Sequence, residues 1–226
     1  REANVVNSDG AIVLEFVDLT DAFPDADVGE AWMRARRVGA DGTIDLEKSR
    51  EAVAYAPQDA YIRNGSVRDN ILFGEAWDPA KYEEVVDACA LRSDLAQLPE
   101  GDGVEIGERG INLSGGQKAR VSLARAAYAT LAGAASVVLL DDPLSAVDVH
   151  VAKHLMEECI EGYLAGKTRV LVTHQIQFLP RADHVVMIDG ARIAADGSYQ
   201  QVAAEQPHLV HGDNKDKSEE DGADSK

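Results

Sequence analysis

Only two cysteines, Cys89 and Cys159, occur in the 226 residues, and their separation matches neither a disulfide framework nor a metal-ligand spacing. A reducing compartment is the expectation. Basic residues are scarce as well: 22 Lys and Arg stand against 40 Asp and Glu, a net charge of -18. A nucleic-acid backbone demands basic patches, so this balance argues against nucleic acid as a partner. No signal peptide is visible, and the longest largely apolar run, Ala126 to Leu140, is short for a bilayer span and is broken at Gly133. Any membrane attachment has to come through partners or through further sequence. No internal repeat is evident. The 45% hydrophobic content supports one core-bearing domain plus an irregular end. The first residue is Arg rather than Met, which reads as an excerpt of a longer chain.

Chemistry-bearing residues are concentrated in a few ordered strings. Leu113-Ser114-Gly115-Gly116-Gln117, followed by apolar Val121, Ala124, Tyr128 and Leu131, reads as an N-cap opening an amphipathic helix. Glycines at a helix N-terminus leave backbone N–H groups aimed outward, and the dipole there favours an anion. Standing alone, such a triplet is an ordinary capped helix. Val137-Val138-Leu139-Leu140 has no polar alternation, as expected of a strand buried on both faces of a parallel sheet, and it runs into Asp141-Asp142. Carboxylates at the carboxyl end of such a strand lie where open α/β sheets bind ligands. A second apolar strand, Arg169 to Thr173, ends at His174, and Ala52 to Ala56 leads through Pro57 into Gln58.

Together these strings resemble the ATP-binding-cassette (ABC) ATPase family: signature, Walker B strand, the D-D-P-L-S-A-V-D run ending at Asp148, the switch histidine in V-T-H-Q, and the Q-loop. The segment S-V-R-D-N-I-L-F-G, Ser66 to Gly74, narrows the resemblance to the C subfamily, the multidrug-resistance-protein and conductance-regulator group, and to its first nucleotide-binding domain. Asp142 agrees, since Glu is usual there elsewhere in the family. The resemblance implies an α/β, P-loop NTPase-like (RecA-like) parallel-sheet core with an inserted α-helical signature subdomain. It implies ATP and Mg²⁺ as cofactors, with Asp141 and Gln58 serving the metal and Asp142 and His174 as catalytic groups. Leu113, Ser114, Gly115, Gly116, Gln117, Gln58 and Asp148 are the implied ATP-binding residues, the signature completing a partner's site. A second nucleotide-binding domain and the transmembrane domains of the same transporter are the implied partners, which would hold the domain on the cytoplasmic side of a membrane.

One element of the pattern is missing. No G-x-x-x-x-G-K-[ST] phosphate loop occurs, and Phe16, Phe23 and Trp32 offer no recognisable adenine platform. The nearest string, Gly162 to Thr168, has its glycines one residue too close and leads into a strand, whereas a phosphate loop leads into a helix. Lys167 is therefore expected to be a loop lysine. Two explanations stay open: the loop belongs between Leu19 and Ala52 of a fuller sequence, or the domain is a non-catalytic half that donates its signature. A soluble ABC ATPase of DNA repair or translation fits the acidic balance less well.

The expected organisation is an uncertain N-terminal segment, residues 1–51, incomplete or irregular except for an opening strand at Ile12 to Phe16; an ATPase domain over 52–210; and an acidic, disordered tail over 211–226. The signature subdomain is expected over 78–131, with a helix started by Asp78-Pro79 and reaching about Leu91. Val147 to Leu164 reads as a crossover helix. Asp189-Gly190 marks a hairpin, and Ser198 opens a last helix.

Overall fold

The computed structural model describes residues 2–7, 10–17, 32–38, 52–107, 112–131, 135–189 and 192–207. The chain divides after Thr173 into two units, Arg1–Thr173 and His174–Lys226. In the first unit, β1 (Glu2–Asn7), β2 (Gly10–Val17) and β3 (Trp32–Val38) form an antiparallel sheet in that order. The strand expected at Ile12 to Phe16 is the middle of β2.

A second sheet is parallel, built of β4 (Ala52–Ala56), β7 (Ala135–Asp141) and β8 (Thr168–Val172), with β7 in the centre. Its register pairs Tyr55 with Leu139, Leu139 in turn with Val170, and Asp141 with Val172. Both crossovers step the same way across the sheet, so right-handed connections put them on one face. On that face lie Ala54, Ala56, Val138 and Leu140, all buried, and helix α4 (Gly115–Leu131) packs against β4 and β7. Arg169 on the same face donates to the carbonyl of Ile160 at 2.6 Å, anchoring the second crossover there. The opposite face holds Val53, Tyr55 and Val172, which are 42%, 51% and 49% exposed.

Between β4 and β7 lies the stretch expected to form the signature subdomain. Ser66 caps α1 (Val67–Leu72) in a reciprocal pairing with Asp69, whose carboxyl is thereby held below its ordinary range. Asp78 caps α2 (Pro79–Ala88), accepting from the N–H groups of Ala80 and Lys81, as the Asp-Pro start predicts. The helix stops at Ala88, before Leu91, because Ala90 turns left-handed at φ 53. α3 (Arg92–Gln97) and a 3₁₀ turn follow, and β6 (Glu105–Ile106) pairs antiparallel with β5 (Gly65–Ser66). The stretch 78–131 is thus not wholly helical, and its small ribbon draws in β5 from upstream.

The crossover to β8 begins two residues later than expected, since Asp148 serves as the N-cap of α5 (Val149–His154). It continues as a π-helical segment, Leu155–Tyr163, in which Leu164 N–H bonds to Cys159 C=O. The second unit holds the expected hairpin, β9 (Val185–Asp189) with β10 (Arg192–Gly197), and α6 (Tyr199–Glu205), which Ser198 caps with Gln201. Val185, Ala195 and Val202 form its small core. The acidic tail, 211–226, and the hairpin's Gly190 lie outside the described residues.

Candidate nucleotide site

The signature is the N-terminus of the 17-residue α4, which carries no acidic residue in its first turn. Ser114 Oγ accepts from Gln117 N–H at 3.2 Å, while Gln117 Oε1 accepts from Ser114 N–H at 2.9 Å. That reciprocal box fixes the first turn and leaves its dipole uncompensated, the condition for anion binding. Leu113 is buried beneath it and Gly115 faces open space. Gly116 has a different reason to be glycine: an added Cβ would stand 2.9 Å from the carbonyl oxygen of Ala146. The close approach seats the signature directly on the turn that follows the acid pair.

A residue that sequence reasoning missed holds this corner. Asp94, in the first turn of α3, accepts from Gln117 Nε2 at 3.0 Å through Oδ1 and from Arg120 Nη2 at 2.7 Å through Oδ2. Both partners of the Arg120–Asp94 ion pair are largely shielded, at 12% and 16% side-chain exposure. The Gln117 amide is therefore engaged within the chain on both its oxygen and its nitrogen.

At the other end, Asp141 closes β7 and its Oδ2 accepts from the Tyr55 hydroxyl at 3.3 Å. Asp142 is buried and left-handed at φ 46, a conformation Asp tolerates better than most residues. Its N–H donates to Val172 C=O at 2.9 Å, and its own carbonyl accepts from Ser145 N–H and Oγ. The turn is thereby tied to β8 and to itself. Asp148 is exposed, and its Oδ1 accepts from His150 and Val151 N–H at 2.9 and 3.1 Å. Those backbone bonds, Val151 first, hold its carboxyl below the ordinary range.

Gln58 is exposed two residues beyond β4, and Asp141 and Asp142 finish β7. These three share the carboxyl edge of the sheet. His174, the first residue of the second unit, is exposed two residues beyond β8. Lys167 lies in the turn before β8, where its Nζ donates to Thr130 and Ala135 carbonyls at 3.4 and 3.2 Å. It caps the end of α4 and the start of β7, so the Gly162 to Thr168 string is a connection and no phosphate loop.

The donor chemistry at the acid edge fits Mg²⁺, which takes hard oxygen ligands and usually keeps waters and substrate phosphates in its shell. Asp141 and Gln58 supply such oxygens. Among the described residues no group of three or more His, Cys, Asp or Glu side chains is placed to hold a metal.

A central parallel strand ending in two carboxylates, with a glycine-fronted helix N-terminus seated on the following turn, is an α/β nucleotide-binding fold of the P-loop NTPase type. The ABC transporter family matches residues 18–145, and the chain belongs to that family. The match begins upstream of Ala52, where the recognisable motifs start. Mouse ATP-binding cassette sub-family C member 2 is 54% identical over 153 residues, covering 67% of this chain and 10% of its own length. Human ATP-binding cassette sub-family C member 3 is 55% identical over 161 residues, 70% of this chain and 10% of the relative. ABC transporter C family member 3 of Dictyostelium discoideum is 50% identical over 162 residues, 72% of this chain and 11% of the relative. The chain thus spans about a tenth of the length of the curated relatives it matches. Among the described residues no helix is long and apolar enough to cross a membrane.

Proposed function

We propose that this chain is the first nucleotide-binding domain of a C-subfamily ABC exporter and that it works head to tail with a second such domain, ATP lying between them. The observation that supports this reading is the signature turn: Ser114, Gly115 and Gly116 form a rigid, uncompensated helix N-terminus seated on the Ala146 turn. Its open glycine face suits a phosphate presented by the partner. At the chain's own edge, Asp141 and the Gln58 amide oxygen would hold Mg²⁺, which neutralises phosphate charge when bound. Asp142 would orient the attacking water as a weak base, and His174 would donate a hydrogen bond to the γ-phosphate. Asp148, already capping α5, would link the two sites through the interface. Transmembrane domains of the same transporter would keep the assembly on the cytoplasmic face of a membrane.

The 226-residue sequence contains no G-x-x-x-x-G-K-[ST] string of the kind that grips the β- and γ-phosphates. This favours a second reading, a domain that serves its partner's hydrolysis without performing its own. The experiment mixes the chain with the matching second nucleotide-binding domain and follows ATP turnover. The wild-type chain should stimulate the partner, and the Ser114→Arg chain should not, because the new side chain fills the space before the helix. Circular dichroism should find both folded, since losing the cap costs about 1 kcal/mol. Equal stimulation by both chains would refute signature donation.

A further inference from the structure

Cys89 and Cys159, separated by 70 residues, bring their sulfurs to 3.6 Å. Cys89 is the C-cap of α2 and Cys159 lies inside the π-helical segment, and both are wholly buried. A second bond joins α2 to the end of α5, just before that segment: His154 Nε2 to the Asp87 carbonyl at 2.9 Å. The backbone on each side is specialised: Ala90 is left-handed at φ 53, and the crossover leaves α-helical register at Leu155. The two thiols therefore meet through defined main-chain geometry. Neither takes part in the nucleotide chemistry proposed above.

We propose that Cys89 and Cys159 form an intramolecular disulfide under oxidising conditions, a modification site that staples the signature subdomain to the crossover following Asp148. A disulfide needs the sulfurs at about 2.05 Å, so from 3.6 Å they close by about 1.5 Å. With hydrogen peroxide as oxidant, both S–H bonds break, one S–S bond forms, and the two protons and two electrons reduce the peroxide to two waters. The hydrogen bond shared with Cys159, which favours the protonated Cys89 thiol, and then burial push that thiol well above its ordinary range. The thiolate is the attacking species, so the bond should form slowly at neutral pH and faster as pH rises. Such a site records sustained oxidation and ignores brief exposure. The staple would fix the α2 end of the subdomain against the segment that Asp148 starts, limiting independent movement of the signature.

The test uses the full 226-residue chain, treated with hydrogen peroxide without denaturant, quenched, and then unfolded for thiol counting and peptide mapping. The expected product is a monomer that has lost both thiols and the mass of two hydrogens. In it the peptide containing Cys89 is joined to the peptide containing Cys159, and dithiothreitol reverses the change. The Cys159→Ala chain should give no internal cross-link, and the oxidised wild-type chain should melt at a higher temperature than the reduced one. Should the variant fail to fold, the wild-type peptide map decides alone. Retention of both thiols, separate oxidation of each sulfur to an acid, or cross-links only between chains would overturn the proposal.

Discussion

At the N-terminus of α4 the polar atoms of Ser114 and Gln117 bond to each other, and Asp94 secures both Gln117 and Arg120. At the carboxyl end of β7, two neighbouring carboxylates follow an apolar strand, with the Tyr55 hydroxyl 3.3 Å from Asp141. The first corner is fixed by the chain's own hydrogen bonds; the second concentrates like charge, which a cation relieves. The difference matches the two tasks. A motif presented to another molecule has to be stiff before the encounter, because ordering it on contact would draw on binding energy. In the proposed pair, Asp141 and Asp142 would instead offer carboxylate oxygens to Mg²⁺ and water. Gly116 couples the two corners, since its contact with Ala146 places the stiff helix start against the turn carrying the acids.

Mg-ATP should bind the 226-residue chain weakly, because carboxylates without a phosphate loop repel the nucleotide. Each missing charge-assisted hydrogen bond to the phosphates removes about 1.5 kcal/mol or more, and losing three weakens binding by about a thousandfold. Calorimetric titration should therefore return a dissociation constant in the millimolar range. A micromolar value would mean that the acid end is as self-sufficient as the signature end.

The stiff corner is tested by Asp94→Ala. Removing the carboxylate deprives the Gln117 amide and the largely shielded Arg120 guanidinium of their partner, at a cost of about 2 kcal/mol in unfolding free energy. Stimulation of the partner domain should fall further than the lost stability explains, because the α4 start loosens while the sheet edge stays intact. Denaturation curves and turnover of the mixed domains, measured on the same sample, check both. An unchanged midpoint would remove Asp94 from the account.

Much of the stiff corner was legible in the sequence, because caps announce themselves: Asp78, Ser114 and Ser198 each stand where a helix begins. Val137 to Leu140 likewise fell in the central strand, where Val137, Val138 and Leu140 are buried. The endings were hidden. Ala90 stops α2 by a left-handed turn that neither glycine nor proline marks, and nothing in Leu155 to Tyr163 signals π register. Long-range partners were hidden as well. Asp94 stands 23 residues from Gln117, and Cys89 stands 70 from Cys159, distances over which only the folded chain makes neighbours.

The smallest effect separates a phosphate loop from its imitation. Lys167 follows Gly166 as the lysine of a phosphate loop would, yet its amine is spent on the carbonyls of Thr130 and Ala135. Lys167→Met keeps the aliphatic stem and removes both bonds, so it should cost about 1 kcal/mol. In a chain of this length that lowers Tm by about 2–4 °C. Nucleotide affinity should stay where it was, because the lysine ties the end of α4 to the start of β7, away from the carboxyl edge where the acids lie. Titrations of the wild-type and Lys167→Met chains with Mg-ATP should therefore superimpose while their melting curves separate. Loss of a measurable nucleotide interaction with no change in Tm would reverse the assignment and make this turn the missing phosphate-binding element.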